Sequence, residues 1–377
     1  MTLRIGSLCS GFGGLEMAVQ AAFGGRTIFH ADPDPGASKI LAHHWPKVPN
    51  LGDIRFVHWA RTLRQYGPID LAAMGFPCQD LSLAGLRAGM RPGTRSGLWR
   101  HCAAAIEALN PRIVVIENVR GILSQPAHSN LEPCPWCVGD GRDEPVLRAL
   151  GAVLGDLADL GFDAEWIGLP ASDPAVGACH PRWREIILAW RPGALEDADL
   201  TAGGERGTTA PGQAQGGQSR SDAGGRSGLP AAAAEAAEED LSLLPTPAAR
   251  DWKSGASNLM EKNSRPLNEF AVNYLPRRGN WIGTNGKDYG PAIRRWQDVV
   301  GRDAPEPTEP GSGDNRRLNP AFSEWMMGAP QGRITAVPGL TREDQLRAIG
   351  NGVVWQQGAH ALRLLHARAT HSLAAAA

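Results

Sequence analysis

The chain is short of net charge, of long hydrophobic runs and of lysine in its glycine-rich turn, and each shortage removes a class of function. Its 377 residues carry 38 Lys and Arg against 39 Asp and Glu, a formal charge of -1. A polybasic tail for non-specific attachment to membrane or nucleic acid is therefore not expected. No stretch approaches the roughly 20 apolar residues of a bilayer crossing, and Met1-Thr-Leu-Arg4 is too brief before a folded strand to act as a signal peptide. Six cysteines fit a reducing compartment better than a disulfide scaffold, so a cytoplasmic protein without membrane contact is expected. A hydrophobic content of 42% over this length suits two globular domains. The glycine-rich turn near the start holds no lysine and no Gly-Lys-Ser/Thr, which argues against a phosphate-cradling loop.

That turn suggests a different ligand. Leu3 to Leu8 reads as a short apolar strand, followed by Ser10-Gly11-Phe12-Gly13-Gly14 and a helical run from Leu15 to Ala22. Glycines at a strand-to-helix turn let a ligand approach the backbone closely, as in nucleotide-binding βαβ units. Thr27 to Asp32 reads as a second strand ending in an acid whose carboxylate can accept both hydroxyls of a ribose. Leu51-Gly52-Asp53-Ile54 offers another acid beside an apolar residue that could face an adenine ring. Asp32 and Asp53 could instead cap helices. An adenosine-bearing cofactor without a crowded phosphate site fits these features best.

Two further strands carry reactive groups. Asp70 to Ser82 is an apolar run broken by Gly75 and Pro77, the pattern of a buried strand feeding a loop. It places Cys78 at a strand's carboxyl end, where ligands of open α/β sheets collect. Pro111-Arg-Ile-Val-Val-Ile-Glu117 is a β-branched strand that delivers an acid to the same edge. A lone buried cysteine is usually a small core residue. Flanked by Pro77 and Gln79, with Glu117 supplied by the next strand, Cys78 reads as a nucleophile that attacks one face of a flat heterocycle while the acid holds its edge. Cytosine chemistry fits that pair.

Ser7-Leu-Cys-Ser-Gly-Phe-Gly-Gly-Leu15, Pro77-Cys78-Gln79, Glu117-Asn118-Val119, His180-Pro-Arg182-Trp-Arg184 and Gly350-Asn351-Gly352-Val353-Val354 follow one another in the chain. In kind and order they resemble the motifs of bacterial and bacteriophage DNA (cytosine-5) methyltransferases, over nearly the whole chain except about 196–315. The resemblance implies a class I methyltransferase fold, a doubly wound, mostly parallel sheet with a smaller target-recognition domain across a cleft. It also implies S-adenosylmethionine as methyl donor and double-stranded DNA as substrate. Cys78 would add to C6 of a flipped-out cytosine, and Glu117 would face its N3 and amino edge. Arg182 and Arg184 would orient the acid and hold the flipped nucleotide. Ser10, Gly11, Phe12, Gly13, Gly14, Asp32, Asp53, Ile54 and Asn351 would surround the cofactor. Gln79, Ser82 and Asn118 would meet the substrate, beneath a loop whose Arg87, Arg91 and Arg95 would face phosphates. The chain departs from the family at Cys9, where an aromatic residue is usual, at His180 in place of Gln, and at Gly352 in place of Ser.

The middle of the chain changes composition twice. From 196 to 244 it is rich in Gly, Ala, Ser and Gln, with nine acids against three arginines, and reads as a flexible linker or disordered insert. From 245 to 302 ten basic residues outnumber five acidic ones, with Trp252, Trp281 and Trp296 interleaved, as in a DNA-reading segment. Arg250, Lys253, Arg277, Arg278, Lys287, Arg294 and Arg295 are the candidate DNA contacts. Leu318 to Gly328 resembles the family's helix bracing that module. The expected divisions are a catalytic and cofactor-binding domain at 1–195, the linker at 196–244, a target-recognition domain at 245–335 and a return to the catalytic domain at 336–377. Cys134-Pro-Trp-Cys137 is half of a tetrahedral zinc site with no second Cys-x-x-Cys to complete it, so no metal is expected. A monomer is expected, with any cognate restriction endonuclease acting separately. An RNA cytosine-5 methyltransferase and a non-catalytic DNA-binding homologue remain as alternatives.

Overall fold

The computed structural model describes residues 2–76, 98–123, 149–195, 241–253, 266–275, 279–313 and 315–376. Cys78, Gln79, Ser82, Arg87, Arg91, Arg95, Cys134, Cys137, Arg277, Arg278 and residues 196–240 lie outside them.

Six strands form the main sheet: β1 (Arg4–Leu8), β2 (Arg26–Ala31), β3 (Leu71–Met74), β4 (Ile113–Val119), β5 (Asp163–Pro170) and β6 (Trp183–Trp190). Their order is β2-β1-β3-β4-β6-β5. β1 to β4 pair in parallel, and β6 runs antiparallel between β4 and β5. The two central runs, Leu-Ala-Ala-Met and Ile-Val-Val-Ile, are buried along their length, as strands covered on both faces must be. Alternate side chains feed different cores. Leu71, Ala73, Ile113 and Val115 pack with helices α1 (Gly14–Phe23) and α10 (Trp355–Ala376). Ala72, Met74, Val114 and Ile116 pack with α3 (Trp59–Tyr66), α4 (Leu98–Leu109) and α5 (Ala149–Asp159). Helices on both faces make the sheet doubly wound. Strand order reverses at β1, whose neighbours are β2 on one side and β3 on the other, so a crevice is expected beyond the carboxyl ends of β1 and β3. α2 (Pro35–His44) follows β2 and is capped by Asp34, which accepts from the Ala37 N–H at 2.9 Å.

A second core gathers α6 (Leu267–Asn273), α7 (Gly290–Val300), the ribbon of β7 (Thr308–Pro310) and β8 (Arg316–Leu318), α8 (Pro320–Met326) and α9 (Arg342–Asn351). Trp281 and Trp296, two of the three tryptophans expected in a DNA-reading surface, are buried here. Trp281 stacks on Phe322 at 6.4 Å, Phe322 on Trp325 at 5.7 Å, and the Trp296 indole donates to the Trp325 carbonyl. A module with so little regular structure needs large rings to bury enough apolar area. Trp252 alone of the three is exposed.

The second core also takes in residues outside 245–335. Leu244, placed in the linker by composition, is 1% exposed and its N–H donates to the Cys179 carbonyl at 2.8 Å. Leu346 and Ile349 of α9 still belong to it, and the chain rejoins the sheet core at Val353. The two bodies are stitched by side chains aimed at backbone carbonyls. Arg295 donates to the carbonyls of Gly177, Ser172 and Ala178, so this candidate DNA contact is committed internally. Lys39 reaches the Gly339 carbonyl at 2.6 Å. The buried Glu324 carboxylate accepts from the N–H groups of Gly332, Ile334 and Thr335 and from the Thr335 hydroxyl. That fixes the turn whose Arg333 guanidinium lies 4.3 Å from the Trp45 ring centroid. Among the described residues no helix is long and apolar enough to cross a membrane.

Asp251, 1% exposed, accepts from the Ala248 N–H at 2.7 Å, and burial pushes its carboxyl up to about 6. A raised folded-state value means the native protein holds this proton more tightly than the unfolded chain, so its contribution is full below about pH 4 and lost as pH rises through 6. Urea unfolding at pH 4.5 and 7.5 should show wild type losing about 2 kcal/mol more across that interval than Asp251→Asn.

Candidate active-site cleft

The cleft is built on the turn after β1. Cys9 takes a left-handed conformation (φ 53°) and its N–H donates to the Ala31 carbonyl. Gly11 (φ 54°) and Gly13 (φ 88°) complete the reversal. A Cβ on Gly13 would sit 2.3 Å from the Trp45 ring, whereas one on Gly11 would meet nothing within 4 Å. Gly11 therefore leaves its backbone open to a ligand, and Gly13, the N-cap of α1, has no side chain to cap the first helical N–H groups. The Asp32 carboxylate accepts from the Gly11 N–H at 2.8 Å and the Asp34 N–H at 2.9 Å, and its burial raises its pKa. It braces the turn and does not cap a helix.

Beneath the turn lies a polar network that no motif announces. The Ser7 and Ser10 hydroxyls are 2.7 Å apart, Ser7 donates to Glu16, and His30 Nδ1 is 3.2 Å from the same Glu16 oxygen. Ser7, Glu16 and His30 are all buried. Glu16 on the apolar side of α1 was the one available signal, a charge where the helical pattern calls for a hydrophobe.

Across the cleft β4 presents Glu117. Its Oε1 is 2.5 Å from Arg184 Nε, with both side chains mostly buried. Gly75, just beyond β3, makes room: a Cβ there would lie 3.1 Å from Glu117 Oε2. Asn118 donates to the Phe76 carbonyl at 3.1 Å, so β4 holds the chain two residues before Cys78. Ser10, Gly11, Phe12, Gly14, Gly75, Glu117 and Asn351 line one cleft. Gly13, Asp32, Asp53 and Ile54 are not among its lining residues. Asp53 pairs with Arg55 at 2.5 Å, which lowers its pKa, and Ile54 is 3% exposed in the sheet-side core.

Arg182 has a different task from Arg184. It is 4% exposed and its guanidinium donates to the carbonyls of Pro247, Gly350 and Gly352. It pins the start of the second body to the end of α9. Next to it, His180 Nε2 meets the Met326 carbonyl at 2.9 Å, and burial holds its imidazole down to about 3. His180 is thus a neutral tie between the two cores. Arg250, Lys253, Lys287 and Arg294 lie exposed. Among the described residues no cluster of three His, Cys, Asp or Glu could hold a metal.

The sequence pattern of the C-5 cytosine-specific DNA methylases matches residues 3–357. The chain belongs to that family. It is 39% identical over 124 residues to the type II methyltransferase M.AluI of Cellulosimicrobium cellulans, covering 32% of this chain and 23% of that one. It is 35% identical over 199 residues to a protein of Escherichia phage P1 named DNA N-6-adenine-methyltransferase, covering 50% and 25%. The chain thus spans about a quarter of the length of these relatives. The crystal structure of S. pombe Dnmt2 methyltransferase shares the fold, at 14% identity, a TM-score of 0.50 and coverage of 97% of this chain and 99% of that one. S-adenosylmethionine is the methyl donor of the family.

One departure from the family pattern, Gly352, has a packing reason. Phe12 is 1% exposed and turned into the second core, and a Cβ on Gly352 would lie 1.8 Å from its ring. Gly352 has φ -80°, so space and not backbone strain requires glycine. Gly352→Ser should cost about 1–3 kcal/mol by overpacking, and adding Phe12→Leu should restore most of it. A double-mutant cycle in urea would show the coupling.

Proposed function

We propose that this chain transfers a methyl group from S-adenosylmethionine to C5 of a cytosine turned out of a specific duplex DNA sequence. The observation that carries the reading is the Arg184–Glu117 pair, set at the strand ends directly across from the open glycine turn. The residues present suit the cofactor: Gly11 offers bare backbone, the Asp32 carboxylate behind it braces that backbone through the Gly11 N–H, and Asn351 closes the far side. Bound there, S-adenosylmethionine supplies an electrophilic methyl group.

The chain's own residues do the rest. C5 of cytosine is a weak nucleophile. The Cys78 thiolate adds to C6, and the electron pair of the C5–C6 bond becomes available at C5. Glu117, held in place by Arg184, hydrogen-bonds the N3 and amino edge and steadies the ring as charge moves onto it. After methyl transfer the C5 proton leaves to a base, the C5–C6 double bond re-forms and Cys78 departs. A stacked base cannot reach this edge, so extrusion costs a few kcal/mol that contacts elsewhere offset. Gln79 and Ser82 beside the nucleophile in sequence, Arg250, Lys253 and Arg294 on the second body, and Arg277 are the proposed DNA contacts. In a cell such a mark would protect DNA, either in a restriction-modification pair or on a viral genome.

Transfer of labelled methyl to duplex DNA, with single-stranded RNA beside it, tests the reading. Label should enter DNA, and Glu117→Gln should lower kcat by about 10²–10⁴-fold while S-adenosylmethionine still binds. Label entering RNA alone would turn the assignment to the RNA alternative.

A further inference from the structure

β4 continues past the acid into an exposed patch. Val119 is 39% exposed, and Arg120, also exposed, opens a 3-10 turn (Arg120–Leu123). Trp183, the first residue of β6, is 37% exposed. The Arg120 guanidinium lies over its ring, 4.9 Å from the centroid. The indole is locked from below, because Trp183 Nε1 donates to Glu185 Oε1 at 2.7 Å. Glu185 is itself 1% exposed and fills the space opposite Gly168, where a Cβ would lie 2.3 Å from its carboxylate. The plate is also joined to the reactive pair: the Trp183 carbonyl accepts from Arg184 Nη1 at 2.8 Å, and Arg184 Nε meets Glu117.

A buried carboxylate spent on fixing a solvent-facing indole is costly unless the ring's position matters. The exposed guanidinium stacked on it stands at the same strand end as Glu117 but on the other face of the sheet, with the buried Glu185 carboxylate as its electrostatic neighbour. We infer that Arg120 and Trp183 form a binding surface for the sugar-phosphate backbone of the target DNA strand next to the extruded cytosine, Arg120 meeting a phosphate and Trp183 the adjoining deoxyribose. The inference rests on the proposed reaction for its occupant. The plate caps the ends of β4 and β6, the two strands that carry Glu117 and Arg184, so a nucleotide whose base reaches the acid brings its backbone to this edge. Charge complementarity favours phosphate, and the planar fork suits its oxygens.

Binding of the full chain to a fluorescent duplex, with a cytosine-containing single-stranded RNA alongside, tests this across a salt series. Each phosphate neutralised contributes about 0.9 to the slope of log K against log salt. Arg120→Ala should lower that slope by about 0.9 and weaken DNA binding several-fold, with S-adenosylmethionine affinity and urea midpoint held. Trp183→Phe should keep the slope but weaken binding, since it retains the ring and loses the bond to Glu185. Arg61→Ala, an exposed control on α3, should change neither. An unchanged slope for Arg120→Ala would overturn the inference. So would a falling urea midpoint with the slope intact, which would make the plate a folding device, and so would a slope change seen with RNA but not with duplex. Because binding is read without turnover, a wild-type protein that binds DNA but transfers no methyl would overturn the proposed reaction and leave the plate standing.

Discussion

Everything at the sheet's carboxyl edge depends on the ion pair between Arg184 and Glu117. A carboxylate taken this far from water is costly unless a cation and hydrogen bonds compensate it. The register of β4 against β6 makes that compensation unavoidable, because antiparallel pairing sets Val119 opposite Arg184 and Glu117 opposite Ile186. The arginine side chain then returns along the edge to the acid. Removing either partner leaves the other buried and unpaired, the more damaging state. The parallel strands supply the other half: β1 brings the glycine turn to the same edge, and Gly75 beyond β3 leaves the acid room.

Arginine is used here as internal fastening as much as for chemistry. Arg182, Arg295 and Arg342 each send their guanidinium to backbone carbonyls on a different segment. A guanidinium can serve several carbonyls at once from a fixed fork, so it suits joints where irregular chain from two cores must meet without unsatisfied acceptors. The cleft is one such joint. Its floor belongs to the sheet, its far wall is the Asn351-Gly352 end of α9, and Arg182 ties that wall to the segment after Thr246.

The parts of this arrangement that a residue's type constrains were legible in the sequence. Gly11 and Gly13 announce left-handed backbone, alternating β-branched runs announce buried strands, and Glu117 at the end of such a run announces an acid at an edge. Burial and direction were not legible. Nothing in Trp281 or Trp296 says that they face a core, nothing in Arg295 says that it meets carbonyls and not phosphates, and the pair Arg182-x-Arg184 looks equivalent although the two side chains diverge to opposite tasks. Regular alternation would put 182 and 184 on one face; they diverge because 182 precedes β6 and 184 lies within it. Composition did not show that Leu244 is buried in the second core and that its N–H donates to the Cys179 carbonyl. Nothing in the sequence around Gly352 shows that its missing side chain makes room for the Phe12 ring.

The most direct measurement of the central claim is base-resolution sequencing of cytosine and adenine modification in DNA from a methylation-free host expressing this chain, beside its Cys78→Ser variant. The account predicts 5-methylcytosine in one short sequence context with wild type and none with Cys78→Ser. Modified adenine, or 5-methylcytosine that survives the loss of Cys78, would contradict it.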